Sequence, residues 1–170
     1  MQYDSRQTEI PAPIEPTGFF TGIQLRPVIT GVLLDTIASY VLTELYFTFA
    51  VAKGAATDPE SIAAYWLTSD GLMASLLLGS LGTAIGGFYA GYKAGQREMK
   101  HGGLVAVGSI ILGVLMQLGA PETELPEWFI GLSLTAAIPA GVLGGFLAEI
   151  FKSVTGGGRA ASSPGRAGPS

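Results

Sequence analysis

The chain has no cysteine and only one histidine among its 170 residues. Without cysteine it forms no disulfide, offers no thiolate to zinc and has no cysteine nucleophile, and its redox compartment stays undetermined. A single histidine cannot build a two-histidine metal or haem site. The sequence also lacks a Walker lysine motif, a paired-histidine zinc motif and a nucleophile elbow. We therefore expect no metal, no other cofactor and no enzymatic activity.

Charge is scarce as well. Only 13% of the residues are Asp, Glu, Lys or Arg, whereas 48% are hydrophobic and the mean hydropathy is +0.45. A soluble domain carries about a quarter charged residues, so this chain has too few charges to solvate a surface. The formal net charge of −4 argues against nucleic acid as a partner. The composition predicts an integral membrane protein whose main partner is the lipid bilayer.

Long apolar runs predict how the chain crosses this bilayer. A spanning helix needs about 20 apolar residues, and four stretches satisfy this, at about 27–52, 71–92, 102–119 and 127–151. The runs are continuous and lack the alternation of barrel strands. Because lipid cannot hydrogen-bond to the backbone, helices are predicted. The predicted fold is all-α, with a four-helix transmembrane domain over residues 25–152.

The basic residues predict the orientation. Every Lys and Arg except Lys53 precedes span one, lies between spans two and three, or follows span four. The positive-inside rule assigns these segments to the cytoplasm. We therefore expect a multi-pass protein of the inner or plasma membrane with both termini on the cytoplasmic side.

The segments outside the spans have compositions of their own. Residues 1–24 contain several prolines and read as a flexible arm, which serves either as a docking arm for a partner or as a loose leader. Residues 153–170 are rich in Gly, Ser and Pro, which predicts a disordered tail. In the first outer loop, Asp58 and Pro59 predict the start of a short amphipathic helix. Its Tyr65 and Trp66 favour a membrane-surface anchor.

Small residues recur every four positions in spans two and four, and residues at this spacing share one helix face. Such faces let helix backbones approach closely. They predict Gly-zipper packing, within one bundle or with a second copy of the chain. Pro139 in span four predicts a kink. The predicted packing residues are Gly79, Gly82, Gly86, Gly87, Gly91 and Gly95 in span two, and Gly141, Gly144 and Gly145 in span four.

Two acids in span one are the exceptional residues. A charged carboxylate at the bilayer centre costs about 2.5–3.5 kcal/mol on the insertion scale. Asp35 lies near the midplane, and no Lys, Arg or His lies well inside any span, so we expect it to be protonated, hydrated in a cavity or matched by a partner protein. It shares a helix stripe with Ser39 and Thr43, and Ser109 and Thr83 lie at similar depth.

Glu44 lies nine residues after Asp35, which places it on the opposite side of the helix at 100° per residue. We expect it to be a wetted acid near the outer boundary, and no paired-carboxylate site is predicted. Between spans two and three, a basic cluster is expected to contact anionic lipid headgroups. Its members are Lys93, Arg97, Lys100 and His101.

The stretch GGFYAGYKAG at residues 86–95, followed by a charged loop and a His-Gly pair at residues 101–102, resembles small four-helix bacterial membrane proteins of the YrzE type. The resemblance covers about 20 residues and implies the four-span layout. That family has no assigned activity, so the resemblance implies no catalytic residue.

Two functions are compatible with these features. The favoured interpretation is a structural or accessory membrane protein that packs through its small-residue faces with itself, as a homo-oligomer, or with a larger membrane complex. The alternative is a small channel or a proton or cation carrier that uses Asp35.

Overall fold

The computed structural model describes residues 18, 21–53, 58–118 and 125–156. Over these ranges it consists of helices and connecting turns, without a strand. Four helical segments are long and apolar enough to cross a membrane, which confirms the all-helical prediction with four spans. The helices are α1 (Leu25–Tyr46, continued by a π-helical turn Phe47–Val51), α2 (Pro59–Trp66), α3 (Ser69–Ala94), α4 (Glu98–Gln117) and α5 (Glu127–Gly156).

The helix ends differ from the predicted spans by a few residues. The largest differences are at α4, which begins at Glu98 and not near residue 102, and at α5, which continues to Gly156. The expected arm over residues 1–24 and the tail over 153–170 lie mostly outside the described residues. The structure therefore leaves both as predictions.

The short helix α2 begins where Asp58 and Pro59 predict a helix start. The Asp58 carboxylate accepts a hydrogen bond from the Ser61 backbone N–H at 2.9 Å, and Pro59 occupies the first turn. A capping side chain satisfies a backbone donor that has no partner inside the helix, and proline has no such donor to lose.

The two central spans are joined by a tight turn. Helix α3 starts at a capping hydroxyl, since Thr68 accepts from the Gly71 backbone N–H at 3.1 Å. It ends at Gly95, which has a φ of 74°, and Arg97 follows with a φ of 53° before α4 begins. The left-handed conformation at Gly95 suits a glycine, which has no Cβ to clash there.

Helices α3 and α4 form the centre of the bundle. Each of them packs against the other and against both α1 and α5, whereas α1 and α5 do not contact each other over the described residues. Helix α1 runs antiparallel to α3, because Gly31 meets Gly86 whereas Ser39 meets Gly82. Helix α5 runs parallel to α3, because Gly141 meets Gly87 and Gly145 meets Gly91.

The end of the bundle that contains the α3–α4 turn is called the turn end here, and the opposite end the far end. The start of α1 is fixed at the turn end, where the Gln24 side-chain amide donates to the Ala94 carbonyl oxygen at 3.0 Å. The end of α5 reaches the same place, where the Lys152 ammonium lies 3.1 Å from a Glu98 carboxylate oxygen. The start of α1 and the end of α5 therefore lie at the same end of the bundle.

Glycines allow the closest approaches between these helices. A Cβ placed on Gly87 would lie 2.5 Å from the carbonyl oxygen of Gly141, and one on Gly31 would lie 2.8 Å from that of Gly86. A real Cβ does not tolerate such distances, so a larger residue would push the backbones apart. Seven of the nine predicted packing glycines are buried against helices of the same chain: Gly82, Gly86, Gly87, Gly91, Gly141, Gly144 and Gly145.

The other two predicted packing glycines, Gly79 and Gly95, have no such neighbour. A Cβ on Gly79 or on Gly95 would meet nothing within 4 Å. Gly95 is the left-handed residue that ends α3, and Gly79 faces the cavity described below. Pro139 lies inside α5, and the kink expected from it stays a prediction.

The glycine contacts predict opposite effects of one substitution at two positions. Gly→Ala in an open helix interior stabilises by about 0.5–1 kcal/mol, and overpacking costs about 1–3 kcal/mol. Gly87→Ala should therefore lower the thermal unfolding midpoint in detergent, because the new methyl meets the Gly141 carbonyl. Gly131→Ala, where nothing lies within 4 Å, should leave the midpoint unchanged or raise it. Equal midpoints for the two variants would contradict this description of the packing.

Candidate functional site

A cavity of about 720 Å³ lies between the four long helices in the half of the bundle near the far end. Each of these helices contributes a hydroxyl side chain to its wall, namely Ser39 of α1, Thr83 of α3, Ser109 of α4 and Ser133 of α5. Apolar residues complete the wall, among them Leu76, Ile110, Phe129 and Leu134. Most of the close glycine contacts between the helices lie nearer the turn end, and the cavity lies in the other halves of the helices.

Asp35 forms the base of this cavity and is 4% exposed. One carboxylate oxygen, Oδ1, accepts from the Ser39 hydroxyl at 3.1 Å. The other, Oδ2, lies 3.1 Å from the Thr83 hydroxyl and also accepts from the Ser109 hydroxyl. Three helices therefore supply hydrogen-bond donors to one buried acid.

The structure brings together three of the predicted intramembrane polar residues, Asp35, Ser39 and Ser109, and adds Thr83 to them. Sequence spacing predicts the contact with Asp35 only for Ser39, because Ser39 lies one turn later on the same helix face. Ser109 and Thr83 come from other helices, and only their depth along the spans pointed to this contact.

Two glycines make room for the carboxylate on α3. A Cβ on Gly82 would lie 3.0 Å from the Asp35 Oδ1 atom, and one on Gly86 would lie 2.9 Å from the Asp35 Cβ. A side chain at either position would force Asp35 away from Thr83. These glycines, predicted as packing residues, therefore also shape the site.

The described surroundings of Asp35 contain no compensating positive charge. Its hydrogen-bond partners there are hydroxyl groups, and no Lys, Arg or His occurs among the described residues of the cavity wall. No group of three His, Asp or Glu side chains suited to a metal ion occurs in the described ranges either. The site can therefore offer a ligand one carboxylate and several hydroxyl groups.

Thr43 and Glu44 do not belong to this site. Glu44 is exposed, and neither residue lines the cavity, although Thr43 follows Ser39 by one turn. The separation of Glu44 from Asp35 agrees with the 180° expected for nine residues of α-helix.

An apolar layer, formed by Val28, Ala90 and Val105, separates Asp35 from the turn end. These three side chains are buried and pack against each other, with Val32 and Leu104 beside them. The layer joins α1, α3 and α4 one to two turns from Asp35. It closes the base of the cavity on this side.

His101 lies beyond the apolar layer, and the prediction that it contacts lipid headgroups is wrong. Its side chain is fully buried. The Nε2 atom accepts from the Gln24 backbone N–H at 3.0 Å, and Nδ1 lies 3.0 Å from the Arg97 carbonyl oxygen. One nitrogen must accept while the other donates, so this geometry fits a neutral ring with its proton on Nδ1. No signal in the sequence pointed to this burial, because the hydrogen-bond partner Gln24 is 77 residues away along the chain.

The other residues of the basic cluster stay near the surface. Lys93 and Arg97 are exposed, and Lys100 is half-buried. The Arg97 guanidinium donates to the Thr21 carbonyl oxygen, which holds it at the start of α1. Headgroup contact by these three residues stays a prediction.

An aromatic cluster at the far end joins α2 to the end of α1. Phe47 is buried, with its ring centroid 5.8 Å from that of Tyr65 and 5.8 Å from that of Trp66. The Tyr46 and Tyr65 hydroxyl oxygens lie 3.0 Å apart. The π-helical turn that begins at Phe47 had no signal in the sequence. The rings of α2 thus pack on α1, whereas their anchoring role at the membrane surface stays a prediction.

No family model, no curated protein and no solved structure matches this chain. The resemblance to proteins of the YrzE type therefore stays a prediction.

The aromatic cluster generates a prediction about pH. The hydrogen bond with Tyr46, together with burial, raises the pKa of Tyr65 from 10.0 to about 12. This bond stabilises the neutral phenol, so its contribution to stability is present below pH 10 and is lost as the pH rises through about 12. In an ultraviolet titration of phenolate, Tyr46→Phe should lower the pKa of Tyr65 toward its usual value. Tyr89→Phe is the control, and an equal response to both substitutions would contradict the contact.

Proposed function

We propose that this multi-pass membrane protein binds a proton or a small cation at Asp35 and acts as a carrier or channel for it. The observation that carries the proposal is the position of a buried carboxylate at the base of a hydroxyl-lined cavity between four spans. An acid at this depth is costly and is a functional candidate by default. Helix packing alone would be satisfied by a small or apolar residue there.

The chemistry of the wall favours a cation over other ligands. Among the wall residues in the described ranges, Asp35 is the single charged side chain, and the hydroxyls of Ser39, Thr83, Ser109 and Ser133 add neutral oxygen atoms. Carboxylate and hydroxyl oxygens stabilise a proton or a hard cation, whereas an anion would meet only repulsion from Asp35. No Lys or Arg occurs among the described wall residues, which also favours a positively charged ligand.

The apolar layer favours a carrier over an open channel. Val28, Ala90 and Val105 are tightly buried between Asp35 and the turn end, so a hydrated ion has no polar path through them. Moving a charge across such a layer without water costs several kcal/mol. A carrier would open this layer only when the far end closes.

Charge supports one orientation in the membrane. The turn end carries Lys93, Arg97 and Lys152, and the far end carries Asp58 and Asp70. By the positive-inside rule, the turn end and both termini face the cytoplasm, in an inner or plasma membrane. The cavity then faces the outside, and the cation enters from there.

The accessory function is the second candidate. This hypothesis rests on the small-residue stripes of spans two and four. However, the seven buried glycines on α3 and α5 contact helices of the same chain. Gly-zipper association with a second copy or a larger complex would need other small faces, so the support for it is weaker. We propose no enzymatic activity and no nucleic-acid partner.

Reconstitution into liposomes tests the proposed function. An imposed membrane potential should drive proton or monovalent-cation uptake above the rate of protein-free liposomes. Asp35→Asn should lower this rate at least tenfold because it removes the charge at the base of the cavity. Glu44→Gln should leave the rate unchanged, since Glu44 is an exposed acid of the same helix that does not line the cavity.

Two results would contradict the proposal. One is a wild-type flux equal to that of protein-free liposomes, and the other is an equal flux in Asp35→Asn and wild type. Helical content and elution volume in detergent show whether each variant is folded. If Asp35→Asn disassembles while wild type carries no ion, Asp35 has the structural role of the second candidate.

A further inference from the structure

We propose that the cation bound at Asp35 is an organic amine with an apolar body, and that the cavity holds the whole molecule. This inference rests on the proposed function, because it names the class of cation that the same site takes. It is carried by the size of the cavity, the distribution of polar atoms on its wall and the hydrogen-bonding capacity of Asp35.

The size of the cavity is far beyond the needs of an inorganic ion. Its volume is about 720 Å³, whereas one water occupies about 30 Å³ in the liquid. Pockets for organic ligands span about 300–1,000 Å³. A proton or a single metal ion at Asp35 would use only the base of this space.

Over the described residues, the wall has one charged side chain and an extended apolar surface. Asp35 and its hydroxyl partners lie at the base, and Leu76 and Phe129 lie about two helical turns further toward the far end. Leu134 and Ile110 add apolar surface between them. An ammonium group on an apolar stem matches both parts, because its charge reaches the carboxylate while its body covers the apolar wall.

Asp35 retains the capacity to accept a hydrogen bond from such a ligand. A carboxylate has about four lone-pair sites, and the hydroxyls of Ser39, Thr83 and Ser109 use at most three of them. Thr83 also lies 3.0 Å from the Gly79 carbonyl oxygen, so its single proton is shared between two acceptors. An amine with an N–H group can donate to the remaining site, whereas a quaternary ammonium cannot.

Binding of 2-phenylethylamine to the detergent-solubilised full chain tests the inference. The amine is protonated at neutral pH, and 2-phenylethanol is its neutral counterpart of similar size. Calorimetric titration should show saturable binding of the amine and at least tenfold weaker binding of the alcohol. Asp35→Asn should weaken amine binding at least tenfold, and Asp70→Asn, at an exposed acid outside this cavity, should not.

A second pair of variants fills the cavity and leaves Asp35 in place. Gly79 lines the cavity and a Cβ placed on it meets nothing within 4 Å, so the side chain of Gly79→Leu should start in open space and occupy the cavity. Amine binding should fall at least tenfold. Gly131→Leu is the matched control, because Gly131 is also helical and open but does not line the cavity.

Three results would overturn the inference: equal affinity for the amine and the alcohol, unchanged binding in Gly79→Leu, or no saturable binding to wild type. The proposed function can survive this failure. If ion flux in liposomes depends on Asp35 while the amine does not bind, the protein carries a proton or an inorganic cation. If amine binding and Asp35-dependent flux are both absent, the inference and the proposed function are both wrong.

Discussion

The constraint on which the rest of the structure depends is the need to surround one carboxylate with hydrogen-bond donors at a depth where lipid offers none. A buried polar group without partners costs several kcal/mol in hydrocarbon. Asp35 meets this constraint with hydroxyls from its own helix, from α3 and from α4. The donors from α3 and α4, Thr83 and Ser109, fix the depth and rotation of these two helices relative to α1. The acid therefore determines the register of three spans, and it also lines the cavity.

Glycine packing is the condition that lets this arrangement exist. The backbones of α1, α3, α4 and α5 approach closely near the turn end, where Gly31 meets Gly86 and Gly87 meets Gly141. With larger residues there, α1 would stand further from α3, and the hydroxyl of Thr83 could not reach Asp35. Toward the far end the same helices have fewer such contacts and enclose the cavity. Tight packing on one side and open space on the other give the bundle a closed end and an open end, as the proposed carrier would need in one of its states.

Much of the fold could be predicted because it follows from local chemistry. The length of the apolar runs predicts the four long helices, and Asp58 and Pro59 predict the start of α2. Features that depend on contacts between distant residues could not be predicted. The burial of His101 depends on Gln24, the π-helical turn after Tyr46 accompanies packing of α2, and the openness around Gly79 results from the separation of whole helices. For the site, residue type and depth singled out Asp35, Ser39 and Ser109, but the cavity beside them required the three-dimensional arrangement.

Water access to the cavity from one side of the membrane is the most direct test of this account. Because the chain has no cysteine, single cysteines can be introduced without a background signal. Ser80 lines the cavity, whereas its neighbour Leu81 is an exposed apolar residue on the same helix and does not line it. Thiol reagents react with the thiolate, which needs water to form. The account predicts that a charged, membrane-impermeant thiol reagent added to the outside of intact cells labels Ser80→Cys and does not label Leu81→Cys. Equal labelling of the two, or no labelling of Ser80→Cys from outside, would contradict it.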